Sequence, residues 1–362
     1  MTDRRRAGRA KGTTEGKHEL SRRDALALLG ALSATACGGS GATSKESSSL
    51  PMAPLKVDPV VDLVPAAGLL WLVQARPREM LRDPVMGPAV ATIVPPWRFD
   101  VFAQHHGGID LRAAEQLVIG AYAQVTLALA RVRFEPDRVA AAFEARVVTV
   151  EGRAVERGGV ARMWGSVSRG REQVALLGRD TVVFERGQLG LLQAALYFAQ
   201  GRLKRSLPVL RAEPLASVAM LMDDAPLRIF APGPFHAEWG RGVAGLLGAT
   251  TAVAASIRPV VRGTEESQDA GKAPPNALGG KLALRVLLAG GWGDDAPAAA
   301  ERLQSAYGVL AEDALGQLMG MDRPIEGPSV TADPGVITLD VVLDAAVLAR
   351  GLHVATGASL EE

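Results

Sequence analysis

Between Gln124 and Glu185 the chain offers five short strand-like runs with very little between them. QVTLALARVRF (Gln124 to Phe134) alternates with period two, and Val147 to Val150, Val160 to Val167, Gln173 to Leu177 and Thr181 to Glu185 follow. Glu151-Gly152, Arg157-Gly158-Gly159 and Gly178-Arg179-Asp180 separate the last four, while one helical segment, Glu135 to Arg146, separates the first two. Parallel neighbours need crossovers of a dozen or more residues, so consecutive strands joined by such short turns predict antiparallel pairing.

The same reading extends along the rest of the folded part. GLLWLVQA (Gly68 to Ala75), Ser217 to Met222, Leu227 to Phe230, Thr250 to Val261, Lys281 to Leu288 and Val336 to Val342 read as strands. Helices are expected at Asp110 to Leu117, 135 to 146, 187 to 200, Pro297 to Met319 and Asp344 to Leu352; Glu135-Pro136-Asp137 and Asp294-Asp295 place acids, and once a proline, where helix starts favour them. A polar loop, GTEESQDAGKAPPNALGG, divides two of the strands. The expected class is α+β, mostly antiparallel sheet or sheets with packed helices, in two similar halves, 55–205 and 206–362. With 48% hydrophobic residues in 362, the chain has ample material for such a core.

The formal net charge of +1 hides two unlike segments. Residues 1–36 carry Arg4, Arg5, Arg6, Arg9, Lys11, Lys17, Arg22 and Arg23 against Asp3, Glu15, Glu19 and Asp24, a net of +4, and the remainder is −3. A mildly acidic body offers no general attraction for phosphate backbones, so a nucleic-acid partner is not expected.

Directly after Arg22-Arg23-Asp24 comes the uncharged run ALALLGALSATA (Ala25 to Ala36), closed by Cys37, the only cysteine of the chain. A basic stretch, a short apolar run and small residues are the three parts of a secretory signal. Twelve residues are too few to cross ~30 Å of hydrocarbon, which takes about 20. Ser21, Arg22, Arg23 and Leu26 resemble the S-R-R-x-F-L-K signal of twin-arginine export, with Ala25 and Ala27 in place of Phe and Lys. Ala34-Thr35-Ala36-Cys37 resembles the lipobox of bacterial lipoprotein precursors, Ala34 standing where Leu is preferred.

That resemblance implies cleavage between Ala36 and Cys37 and diacylglycerol on the Cys37 sulfur. It also implies a periplasmic or surface-exposed body on the cell envelope, and Gly38, in place of Asp, favours the outer membrane. Residues 1–36 are then a signal peptide and 37–54, rich in Gly and Ser, a flexible tether. At 5–6 Å times the square root of length, that tether holds the body roughly 20 Å from the bilayer. Two or three acyl chains, at ~0.8 kcal/mol per buried CH₂, hold it there essentially permanently. The longest uncharged run beyond Cys37, Val243 to Ile257, reads as buried core.

Candidate sites are sparse. Gly240-Arg241-Gly242-Val243-Ala244-Gly245 matches a dinucleotide fingerprint, with Glu265 and Glu266 downstream, but APGPFHAEW replaces the strand that should lead into it. His105-His106, with His236 and Glu238, lacks any zinc-ligand spacing. Asp223-Asp224 and Asp294-Asp295 could do acid-base work, but each precedes Ala-Pro and suits turns and caps. Trp71, Trp97, Trp164, Trp239 and Trp292 read as core more readily than as cavity lining. G-x-S-x-G, S-x-x-K and P-loop patterns are absent. The expectation is therefore a non-enzymatic binding or envelope-structural lipoprotein without cofactor, metal or catalytic residues; an envelope hydrolase with a non-local site and a hydrophobic-ligand carrier are the alternatives.

Overall fold

Strands β2 (Gln116–Tyr122) and β3 (Val125–Arg131) form a hairpin closed by Ala123 and Gln124, in register from Gln116↔Arg131 to Tyr122↔Val125. In the computed structural model, which describes residues 55–357 apart from 157–158, 169, 188–189, 204–206, 237–239 and 261–279, this hairpin lies near the middle of one sheet. β1 (Leu69–Ala75) pairs with β2 on one side and with β8 (Leu227–Pro232) on the other. The meander β4 (Thr149–Glu156), β5 (Val160–Val167), β6 (Gly170–Leu177), β7 (Thr181–Arg186) returns to β3 through its last strand. β9 (Thr250–Pro259), β10 (Lys281–Gly290), β11 (Glu326–Asp333) and β12 (Val336–Asp344) continue outward from β8.

Among the described residues the order β11-β12-β10-β9-β8-β1-β2-β3-β7-β6-β5-β4 makes twelve strands with every neighbouring pair antiparallel. This corrects the expected class of α+β sheets in two similar halves: a single sheet runs through residues 55–205 and 206–357 alike. The physical reason sits at β1, whose two edges are filled by β2 and β8. Each part closes an edge that the other would leave open, and an unpaired edge is a liability.

Helices α1 (Pro77–Arg82), α2 (Met86–Ile93), α3 (Pro96–His105), α4 (Pro136–Arg146), α5 (Leu191–Ala199), α6 (Ala216–Ala219), α7 (Ala296–Glu312), α8 (Ala314–Leu318) and α9 (Ala345–Gly357) cover both faces. On the first face, Leu192, Leu196 and Ala199 of α5, Val218 of α6 and the 3-10 turn Val60–Leu63 pack on Leu127, Leu129, Val183, Phe230, Ala254 and Leu287. The second face carries two separate cores. Leu303 and Tyr307 of α7, Leu348 of α9 and Met86 of α2 pack on Leu288, Ile337, Leu339 and Val341. Phe102 of α3 and Val139 and Phe143 of α4 pack on Ala130, Met163, Val174 and Val182. Each fully buried Leu or Phe stabilises the fold by about 1.5–3 kcal/mol.

Several elements differ from expectation. Asp110 caps only the 3-10 turn Leu111–Ala113, accepting from Arg112 N at 2.9 Å, and the next residues enter β2. Ser217 to Met222, expected as a strand, contains the end of α6 instead, with Val218 packed in the core and Met220 and Leu221 exposed beyond it. The long helix from Pro297 divides at Asp313, whose extended backbone ends α7 and whose carboxylate caps α8. Glu151-Gly152 does not end β4: the register shifts there and the strand continues through a bulge. Arg22, Arg23, Ala36, Cys37, the 37–54 tether and residues 263–279 of the polar loop lie outside the described residues. Among the described residues no helix is long and apolar enough to cross a membrane.

Candidate functional site

Five strands place five polar side chains in one line. Gln74 on β1 is opposite Arg228 on β8, Arg228 opposite Ser256 on β9, Ser256 opposite Arg285 on β10, and Arg285 opposite Asp340 on β12. Residues opposite one another share a face, and neighbouring strands lie about 4.8 Å apart. Leu72, Phe230, Ala254 and Leu287, two residues along their strands, belong to the α5–α6 core, so the line extends the same face beyond that apolar cover.

The loop after α6 brings acids to this line. Asp223 accepts from Ser256 Oγ at 2.8 Å and from Arg258 Nε at 2.9 Å. Asp224 accepts from Arg76 Nη1 at 2.5 Å. Arg285 donates Nε and Nη2 to the two oxygens of Asp340 at 2.7 and 3.3 Å, the forked geometry that guanidinium and carboxylate favour. Arg228 is left over. It forms no hydrogen bond or ion pair among the described residues, and burial holds its guanidinium below the usual value, with Asp224 and Asp223 pulling the other way and Arg76 adding to the depression. Beside it in register, Gln74 Oε1 is buried and unpartnered among the described residues.

This arrangement offers charge and hydrogen-bond donors. Its hydroxyl, on Ser256, already donates to a carboxylate, and its guanidiniums stay protonated at any ordinary pH. Arg228 and Gln74 Oε1 are the groups of the line left able to pair with an anion or a hydrogen-bond donor.

A second feature occupies the middle of the other face. Val73, Ile119 and Ala128 form a small cluster of their own with Trp71, Leu117, Phe184 and Leu227, between the two helix-covered cores. Ile229, opposite Val73, remains 38% exposed.

The residues singled out from sequence do not meet. His105 ends α3. His106 is partly buried, stacked on Phe102 and edge-on to Phe184, with Nδ1 2.8 Å from Phe102 O. Burial, with Arg146 close by, pushes its pKa down to about 3, so its imidazole is neutral and serves packing. His236 follows β8, while Glu238 and Trp239 lie outside the described residues. Asp294 and Asp295 sit at the start of α7 without a side-chain cap bond, whereas Asp223 and Asp224 pair with Arg258, Ser256 and Arg76. The Gly240 to Gly245 stretch is a turn leading through a 3-10 helix into β9, with Val243 and Ala244 in left-handed backbone. Trp292 is buried, its Nε1 donating to Leu288 O, but Trp97 is 57% exposed and not core. Among the described residues no group of three or more His, Cys, Asp or Glu could hold a metal ion.

Sequence reasoning missed Glu185. It is fully buried on β7 and accepts from the backbone N of Gly190, at 3.1 Å, and of Leu192, at the start of α5, while Gln173 Nε2 lies 3.4 Å away. Burial raises its pKa against those hydrogen bonds and the nearby Arg162. Nothing local in TVVFER marks it, because its partners lie across a turn and a neighbouring strand.

No protein-family model matches the chain, and no curated protein matches it. Among solved structures, crystal form IV of TP0453 matches over 81% of this chain and 96% of that one, at 8% identity and a TM-score of 0.42. A likeness at that level carries no argument about function.

Proposed function

We propose that this chain is an exported lipoprotein, held on the outer membrane by lipid on Cys37, whose folded body works by binding rather than by catalysis. The observation that carries the second half is the placement of the candidate reactive groups: His106 stacked on Phe102, His236 after β8, Asp294-Asp295 at α7, and Asp223-Asp224 tied to arginines. General acid–base or nucleophilic chemistry needs such groups within hydrogen-bond reach of one another. The half-exposed Arg228, Arg285 and Asp340 of the polar line, with Ser256 and Gln74 Oε1 buried between their strands, are the surface on which an anionic or hydrogen-bonding partner would be read. No cofactor and no nucleic acid enter this reading.

Labelled palmitate enters the wild-type protein and not Cys37→Ala. Arg22Arg23→Lys-Lys leaves the precursor in the cytoplasm, and its normal export would remove the twin-arginine route alone. A native polypeptide starting at Met1 with a free thiol sinks the anchor. Crosslinking in intact envelopes, comparing wild type with Arg228→Ala, identifies the partner; an unchanged crosslink pattern rules the polar line out as its surface.

The apolar cluster of Val73, Ile119 and Ala128 with exposed Ile229 favours a second reading, a carrier of a hydrophobic ligand. Native mass spectrometry of purified Cys37→Ala protein decides it: a co-purified apolar mass supports the carrier, and a clean apo mass removes it.

A further inference from the structure

The first sheet face is roofed by α5, the segment from Leu207 to Met222 and the turn at Val60–Leu63, and this roof has an apolar outer surface. Val209, Leu215, Val218 and Met222 point inward to the core. Between and beside them Met220 is 80% exposed, Leu221 54%, Leu207 50% and Leu203 45%. Leu203 follows α5, which lies over β6 and β7, and Met220 and Leu221 follow α6, which lies over β9 and β10, so the four are spread across the layer; Val309, Leu310, Leu318 and Val354 are comparably exposed on the other face, and the choice of face rests on the chain start. Lys56, Arg202 and Arg211 are exposed on the same layer, against Asp62 and Glu213, and Arg202 lies over the ring of Tyr197 at 4.6 Å. Apolar side chains mixed with cations and a half-exposed tyrosine are what the headgroup region of a bilayer accommodates.

The position of the chain start names the occupant. Lys56 N donates to Ala199 O at 2.9 Å, so the residues that follow the tether join the body at the end of α5, in this roof. On the anchored reading 17 residues, 38–54, separate Cys37 from the described body, and a Gly/Ser-rich chain of that length would span roughly 20 Å. At that reach the roof is presented to the membrane at high effective concentration, where a patch too weak to bind alone still sets orientation.

We propose that the Leu203–Leu207–Met220–Leu221 surface docks on an anionic lipid bilayer and holds the body with its second sheet face outward. The proposal rests on the anchored reading for its tether, and its test does not. In the full chain carrying Cys37→Ala, single cysteines are introduced by Leu221→Cys or, as the opposite-face control, Val309→Cys on α7, which is 71% exposed. Each is labelled with an environment-sensitive fluorophore and added to phosphatidylglycerol–phosphatidylethanolamine vesicles containing spin-labelled lipid. Quenching at position 221 is expected to exceed that at 309 by about threefold or more. Position 221 lies in the roof that the chain start joins, so the pair is repeated with Leu203→Ser, Leu207→Ser and Met220→Ser combined: selective quenching at 221 is expected to be lost there, and its persistence means that the N-terminal segment orients the body and overturns the proposal. Equal quenching, stronger quenching at 309, or no vesicle binding overturns the proposal. Palmitate labelling of the wild type is read separately: selective quenching without palmitate removes the anchor and leaves the docking face, and palmitate without selective quenching does the reverse.

Discussion

His106 lies flat against Phe102, their ring centroids 3.9 Å apart and the planes 13° from parallel. Its pKa of about 3, against 6.5 when free, means the folded protein refuses a proton that the unfolded chain accepts. A depressed folded value leaves stability intact above pH 6.5 and removes it progressively as pH falls toward 3, at up to ~1.4 kcal/mol per pH unit. His106→Phe is expected to flatten the fall of the urea midpoint across that window; an unchanged slope means the imidazole does not drive it.

Glu185 carries the opposite sign. Burial raises its pKa, so its favourable contribution is complete below the unfolded carboxyl value and declines as pH rises through the folded one. Glu185→Ala orphans the backbone N–H groups of Gly190 and Leu192 and costs about 2–4 kcal/mol. Glu185→Gln retains an acceptor, costs much less and abolishes the slope. Urea titrations of both variants at several pH values measure the difference.

Arg228 gives a test of sign. A half-buried cation without a hydrogen-bonded partner among the described residues costs desolvation that nothing fully returns. Arg228→Met is expected to raise stability by about 1 kcal/mol while weakening partner crosslinking. A destabilised variant shows that the guanidinium has a stabilising role instead.

Gly107 follows α3 with φ +69°, and a Cβ there would stand 2.5 Å from Arg138 O on α4. Gly107→Ala therefore combines left-handed strain with a backbone clash, for a loss of about 2 kcal/mol or more. Thermal unfolding checks it, with Gly170→Ala, which has open space, isolating the strain component.

The elements legible in sequence were those with local signals. The β5–β7 meander, with its short turns, and α4, with Pro136 at its first position, stand where alternation and capping place them. β2 was hidden because Asp110 is a real cap on a turn only three residues long. β11 was hidden because GPSVTAD is polar and broken by Pro328, as suits the outermost strand of a sheet. The candidate site was visible only as an acid pair. Asp223 and Asp224 could be seen, but Arg76 lies 148 residues from Asp224 and Arg258 35 from Asp223, and no spacing rule joins them.

The seam between β1 and β8 sets an order on assembly. Leu72 meets Phe230 and Ala75 meets Leu227 across more than 150 residues of intervening chain. A nascent polypeptide that has not yet emerged past Pro232 exposes a bare strand in what becomes the centre of the sheet, and that strand is free to capture a copy of itself. Completion of the fold thus waits for the second portion of the polypeptide, and a product truncated near residue 205 is a seed for aggregation rather than an independent module.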